Sequence, residues 1–160
     1  MPKIKLKLST DSINQALKEV KAYQKKVEKA ADDLVRRLTE QGVSLAQLNA
    51  SYMDIYDTGE LMRGIESQYK GKVGFVVSTS THSIFCEFGT GIVGARNPHP
   101  EVAIAGWRYD VNEHGELGWW YIGRDGKSHW TKGMPSRQYM YETAKMLRSM
   151  VVPLAKEVMR

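Results

Sequence analysis

The chain has 160 residues, of which 42% are hydrophobic and 26% charged, the composition of one globular domain long enough to bury a core without disulfides or metal. Its one cysteine, Cys86, excludes an intramolecular disulfide, and no apolar run reaches the roughly 18 residues of a membrane helix. The net charge of +5 is uneven: residues 1–37 hold 10 basic against 5 acidic side chains, whereas 38–160 hold 13 of each.

The first stretch, Lys3 to Leu8, alternates lysine with Ile4, Leu6 and Leu8. Period two predicts a short edge strand and not the continuous apolar segment of a leader peptide. Ser9, Thr10 and Asp11 then offer N-cap oxygens. Behind them Ile13, Ala16, Leu17, Val20, Tyr23, Val27, Ala30, Ala31, Leu34, Val35 and Leu38 step by three and four along one helical stripe. Lys18, Lys21, Lys25 and Lys29 fall off the stripe, giving a basic face that is either simply solvated or turned to nucleic acid or an acidic partner. Gly42 is expected to end this helix, of some 30 residues and about 45 Å. Residues 43–57 are mixed and predict irregular chain.

Asp57-Thr58-Gly59 invites comparison with the aspartic-protease triplet. Here it occurs once and runs straight into Glu60-Leu61-Met62-Arg63, so a cap and short helix, with Leu61, Met62 and Ile65 as its apolar face, is the better account. Lys72 to Thr81 is rich in β-branched residues and predicts a strand; His82 to Phe88 fits a strand or a helical turn. His82 and Cys86 lie four apart, a spacing that could pair an imidazole with a thiol on a helix, but a lone cysteine among Ile84, Phe85 and Phe88 reads as core. Gly89-Thr90-Gly91-Ile92-Val93-Gly94 spells the dinucleotide fingerprint. That fingerprint needs a strand before it and a helix opening within it. Asn97-Pro98-His99-Pro100 follows at once, so the segment reads as a glycine- and proline-rich contact loop without a cofactor.

All four tryptophans, Trp107, Trp119, Trp120 and Trp130, fall between residues 101 and 133. The segments around Trp119-Trp120 and Trp130, separated by Asp125-Gly126, predict a hairpin whose aromatics fill a core, anchor an interface or stack on bases. Met134 to Arg160 predicts a C-terminal helix opened by Pro135 and kinked or divided at Pro153. The histidines are too scattered for a zinc site, and no metal is expected. The architecture expected is α+β, one domain over residues 1–160, with the long N-terminal and the C-terminal helix packed on a small, mostly antiparallel sheet.

Individually weak, these motifs have a distinctive order. Thr58-Gly59 and Leu61 precede a strand; Phe85, Glu87, Phe88, Gly89, Thr90 and Gly91 follow; then come His99-Pro100 and, last, Met134-Pro135-Ser136-Arg137 with Tyr139 and Met140. Over roughly residues 10–160 this resembles the tail-completion, or neck, proteins of long-tailed bacteriophages. Cys86 stands where that family more usually has valine, Gln138 where it often has proline, and the Trp-rich segment is variable in the family. The resemblance implies a structural virion protein without catalytic activity or cofactor. It would form a ring, commonly of six subunits, at the head–tail junction, after assembly in the host cytoplasm. Its partners would be the tail tube or tail terminator and the head connector, with phage DNA passing through the lumen and no membrane involved. Phe88, Gly89, Thr90, Gly91 and Ile92 are then expected as a contact loop, Met134, Pro135, Arg137 and Tyr139 as an interface anchor, and the Lys18, Lys21, Lys25 and Lys29 face as lumen or acidic-partner surface. The alternative from the residues alone is a sequence-independent nucleic-acid-binding protein.

Overall fold

The computed structural model describes residues 9–55, 59–109 and 118–159. In chain order the elements are α1 (Thr10–Tyr52), α2 (Glu60–Arg63), β1 (Ile65–Lys70), β2 (Val73–Ser78), α3 (Ser83–Phe88), α4 (Gly91–Arg96), α5 (Val102–Ala105), β3 (Trp119–Ile122), β4 (Ser128–Thr131) and α6 (Tyr139–Val158). The class is α+β, as expected, but the strands form two separate antiparallel hairpins, β1–β2 and β3–β4, instead of one sheet. The expected strand at Lys3–Leu8, and Asp57-Thr58 of the cap, lie outside the described residues.

Helix α1 starts where the cap predicts: the Ser9 hydroxyl accepts the Ser12 amide at 3.4 Å. It does not stop at Gly42. It runs 43 residues, through a stretch whose composition suggests irregular chain. Gly42 is buried inside the helix because a side chain there has no room: an added Cβ would lie 2.5 Å from Val76 Cγ2 and 2.9 Å from Leu147 Cδ1. The glycine is a point of close approach between three elements, and helix propensity yields to packing. Ala46 and Ala50, on later turns, are fully buried for the same reason.

The core gathers Ala46 and Ala50 of α1, Leu61 of α2, Ile65 at the head of β1, Cys86 of α3 and Tyr139 at the start of α6. Val43, Met53, Ile55, Met62, Val76, Met134 and Met140 close around it. Ile65 thus opens a strand and does not belong to the preceding helix. Strand β1 was not legible, since only Ile65 of its six residues is buried. Helix α6 packs along the second half of α1. Asn49 Nδ2 donates to Thr143 Oγ1 at 2.9 Å, and that hydroxyl donates to the Tyr139 carbonyl at 2.7 Å, so these two buried side chains are paired across the helix–helix contact. Pro153 sits inside α6 without dividing it. Pro135 does not open α6, which begins at Tyr139; residues 134–138 run as non-helical chain.

Candidate assembly surface and the clamp behind it

The residues expected to form a contact loop and an anchor meet each other inside one chain. Thr90 N donates to Met134 O at 2.9 Å, and Met134 N returns a bond to Thr90 O at 3.2 Å, an exchange like one rung of a ladder. Val93 N reaches Lys132 O at 3.2 Å. Gly89 carries φ +77°, and a Cβ there would lie 2.6 Å from Ser136 N, so both conformation and space require glycine. Gly89, Thr90, Gly91 and Tyr139 are buried; Phe88, Ile92, Met134, Pro135 and Arg137 are half-buried. A helix, α4, does open within the glycine motif, because Gly91 to Arg96 completes its turns before Pro98 can interfere.

The centre of this junction is Glu87. Helix α6 has Gln138 at its N-cap in the left-handed region, φ 52°, and no side chain of its own caps it. Glu87, from α3, supplies the missing acceptors: Oε2 takes the Met140 amide at 2.8 Å and Oε1 the Tyr141 amide at 2.9 Å. A carboxylate there satisfies two orphan donors and meets the positive end of the helix dipole. The Glu87 backbone carbonyl also accepts Ser136 Oγ at 2.7 Å and the Gln138 amide at 3.2 Å.

His99 completes the clamp. Its Nε2 lies 3.0 Å from Glu87 Oε1, and its Nδ1 accepts the Glu101 amide at 3.0 Å. With Nδ1 accepting, the ring hydrogen sits on Nε2 and is donated to the carboxylate. The imidazole stacks at 4.3 Å from Phe88 and meets Tyr141 edge-on at 5.3 Å; Trp107 lies against Phe85 and Phe88 and donates Nε1–H to Gly89 O at 3.0 Å. Arg137 sends Nη1 to the Met53 carbonyl at the end of α1, where a cation opposes the helix's negative end. The segments around Glu87 and His99 and residues 134–141 therefore converge on one brace that fixes α3, α6 and the end of α1.

Sequence reasoning did not single out Glu87, His99 or Asn49 as organising residues. The available signal was an acidic residue set among Phe85, Cys86 and Phe88, which implies a buried partner. Burial pushes the Cys86 thiol up, so it behaves as a core residue; His82 is exposed and does not join it. Among the described residues no group of three His, Cys, Asp or Glu side chains could hold a metal. No described helix is long and apolar enough to cross a membrane. An open groove between α1 and the β1–β2 hairpin is lined by Asp32, Val35, Arg36, Glu40 and Tyr69 among others, and Arg36 is ion-paired there with Asp33 and Glu40.

Among the open apolar surfaces of the described residues, two lie on elements far apart in the chain. The first is the N-terminal half of α1, where Ile13, Leu17, Val20 and Tyr23 are 45–53% exposed along one stripe. Lys18, Lys21, Lys25 and Lys29 are all exposed and share the opposite face, within an arc of about 80° at 100° per residue. The second is the β3–β4 hairpin. Trp120 and Trp130 are cross-strand partners with rings 5.4 Å apart, and with Ile122 they are 47–69% exposed on one face.

No protein-family model, curated protein or solved structure matches this chain.

Proposed function

We propose that the chain is a non-enzymatic structural subunit of a tailed phage, forming a ring at the head–tail junction that completes the tail and joins it to the head connector. The observation that carries this reading is the pair of open apolar surfaces on separate elements, the Ile13–Tyr23 stripe and the Trp120–Trp130 hairpin. A head-to-tail ring uses two different patches per subunit, one meeting the other on its neighbour. Aromatic side chains such as these are the usual anchors of interfaces. The ordered motifs support the same reading, since their convergence on the Glu87 brace gives the family-like pattern a structural purpose. In the ring, six subunits would surround the DNA path. The Lys18, Lys21, Lys25 and Lys29 face would line the lumen or meet an acidic ring partner.

The test is light scattering behind size exclusion, with the chain alone and mixed with candidate tail-tube, tail-terminator and connector proteins. A closed oligomer larger than a dimer, alone or in a mixture, is the expected result. Absence of any such species in every mixture would overturn the proposal. The shared lysine face also favours a second reading, sequence-independent binding of nucleic acid. It requires DNA affinity that falls steeply with salt; undetectable binding at low salt removes it.

A further inference from the structure

The open stripe of α1 has a finer order than amphipathicity. Ile13, Val20, Val27 and Leu34 recur every seven residues, and Ala16, Tyr23 and Ala30 lie three after the first three of them. These are the a and d positions of a coiled coil, with β-branched residues at three successive a positions, as two-stranded coils prefer. The second half of α1 is covered by α6 and the β1–β2 hairpin, and the free stretch ends near Ala30, which is already buried. On the free stretch nothing within the described residues covers Ile13, Leu17, Val20 or Tyr23.

We infer that this stripe is covered by a second copy of the chain, lying antiparallel, so that two α1 helices form a short two-fold coiled coil. Size and charge select both occupant and direction. About a two-fold axis between Val20 and Tyr23, Val20 faces the partner's Tyr23 and Ala16 faces the partner's Val27. Each layer then opposes a larger with a smaller side chain. In the same register Glu19 lies beside the partner's Lys26, and Lys26 beside the partner's Glu19, both at the flanking g positions where charge sets orientation. The parallel arrangement does neither. It stacks Ala16 on Ala16 and Tyr23 on Tyr23, and it brings Glu19 to Gln24 and Lys26 to Ala31, with no opposite charge to meet. The antiparallel pair leaves Lys18, Lys21, Lys25 and Lys29 on the outside, at b, c and f positions. The inference stands on α1 alone and does not require the ring: a two-fold contact closes on itself, so it describes the free protein outside any assembly.

The experiment is sedimentation equilibrium of the full chain from low to high micromolar concentration, with four variants whose folding is checked by circular dichroism. The wild type should pass from monomer to dimer, and Val20→Asp should stay monomeric throughout. Glu19→Lys and Lys26→Glu each turn two attractions into two repulsions and should weaken the dimer about tenfold. The double variant Glu19→Lys/Lys26→Glu exchanges the partners and should restore it. A wild-type monomer at every concentration overturns the inference. So does a dimer that the double variant fails to restore, which is the behaviour of a parallel pair or another surface. A larger oligomer lost in Val20→Asp but blind to both charge changes also overturns it, while leaving the ring reading in place.

Discussion

The two halves of α1 carry the same kind of stripe and meet different fates. From Ala30 to Ala50 the stripe is answered by α6, the β1–β2 hairpin and Leu61, and small residues let those elements close in. From Thr10 to Lys29 the helix continues for about 30 Å at 1.5 Å per residue with its apolar side open. Such a helix owes little to intrinsic propensity, since helical stability in proteins comes chiefly from packing of the apolar face. The second half is therefore held by its own chain, whereas on the first half nothing among the described residues covers the stripe.

One substitution type applied to both halves gives the largest contrast. Ala46 has no exposed surface, so Ala46→Asp buries a charge without a partner and should cost about 4 kcal/mol or more, enough to unfold a marginal domain. Val20→Asp places the same group on an open surface and should change monomer stability by no more than about 0.5 kcal/mol. Urea denaturation at a concentration where the chain is monomeric checks both. Comparable losses at the two sites would mean that the halves are not distinct.

The brace behind the packed half gives the next effect. Glu87→Gln keeps the shape but turns an NH2 group toward the Met140 or Tyr141 amide and removes the charge at the start of α6. The expected loss is about 2 kcal/mol, or roughly 4–8 °C in Tm for a chain of this size. Thermal unfolding followed by far-UV circular dichroism reads it directly, and an unchanged Tm would remove Glu87 from its place as the organising cap.

Tyr139 adds a pH signature to the same half. Burial pushes its phenol up to about 12, while an unfolded tyrosine titrates near 10. The unfolded state therefore loses this proton first. The contribution is whole below about pH 10 and is lost as pH rises through the folded value, by up to roughly 2–3 kcal/mol. Among the described residues no group makes a hydrogen bond with the hydroxyl, whose neighbours include the Ser78 and Ser83 hydroxyls, so Tyr139→Phe should alter stability at pH 7 by less than about 1 kcal/mol. That variant should also be less sensitive than wild type between pH 10 and 12, as parallel urea titrations at the two ends of that interval would show.

Much of this was legible from the chain because the signals were local. The Ser9 cap, the stripe from Ile13, the Trp119–Trp120 and Trp130 hairpin around Asp125-Gly126, and the C-terminal helix all follow from period and turn chemistry. The misplacements share one cause, long-range packing. Gly42 reads as a helix end, yet Val76 and Leu147 make it a contact point. Gly89 to Ile92 reads as a contact loop, yet Thr90 exchanges backbone hydrogen bonds with Met134, 44 residues away, and the Gly91 amide donates to the Tyr109 carbonyl. Pro135 reads as a helix start, yet α6 waits for Tyr139, where a carboxylate from α3 provides the cap that its own sequence lacks.

The smallest expected effect is the most exacting test of the contrast between the halves. Ser9 holds the start of the free half through one long hydrogen bond to Ser12. Ser9→Ala should cost the first turn about 0.5 kcal/mol, equivalent to roughly twofold faster hydrogen exchange of its amides. Because the free half is not packed on the body, the loss should stay there, leaving the global urea midpoint and the protection of residues 42–50 unchanged. A shifted global midpoint would mean that the open helix unfolds together with the core. Its exposed stripe would then belong to the domain's own cooperative structure, and a partner would no longer be needed to explain why an apolar face is carried so far from the body.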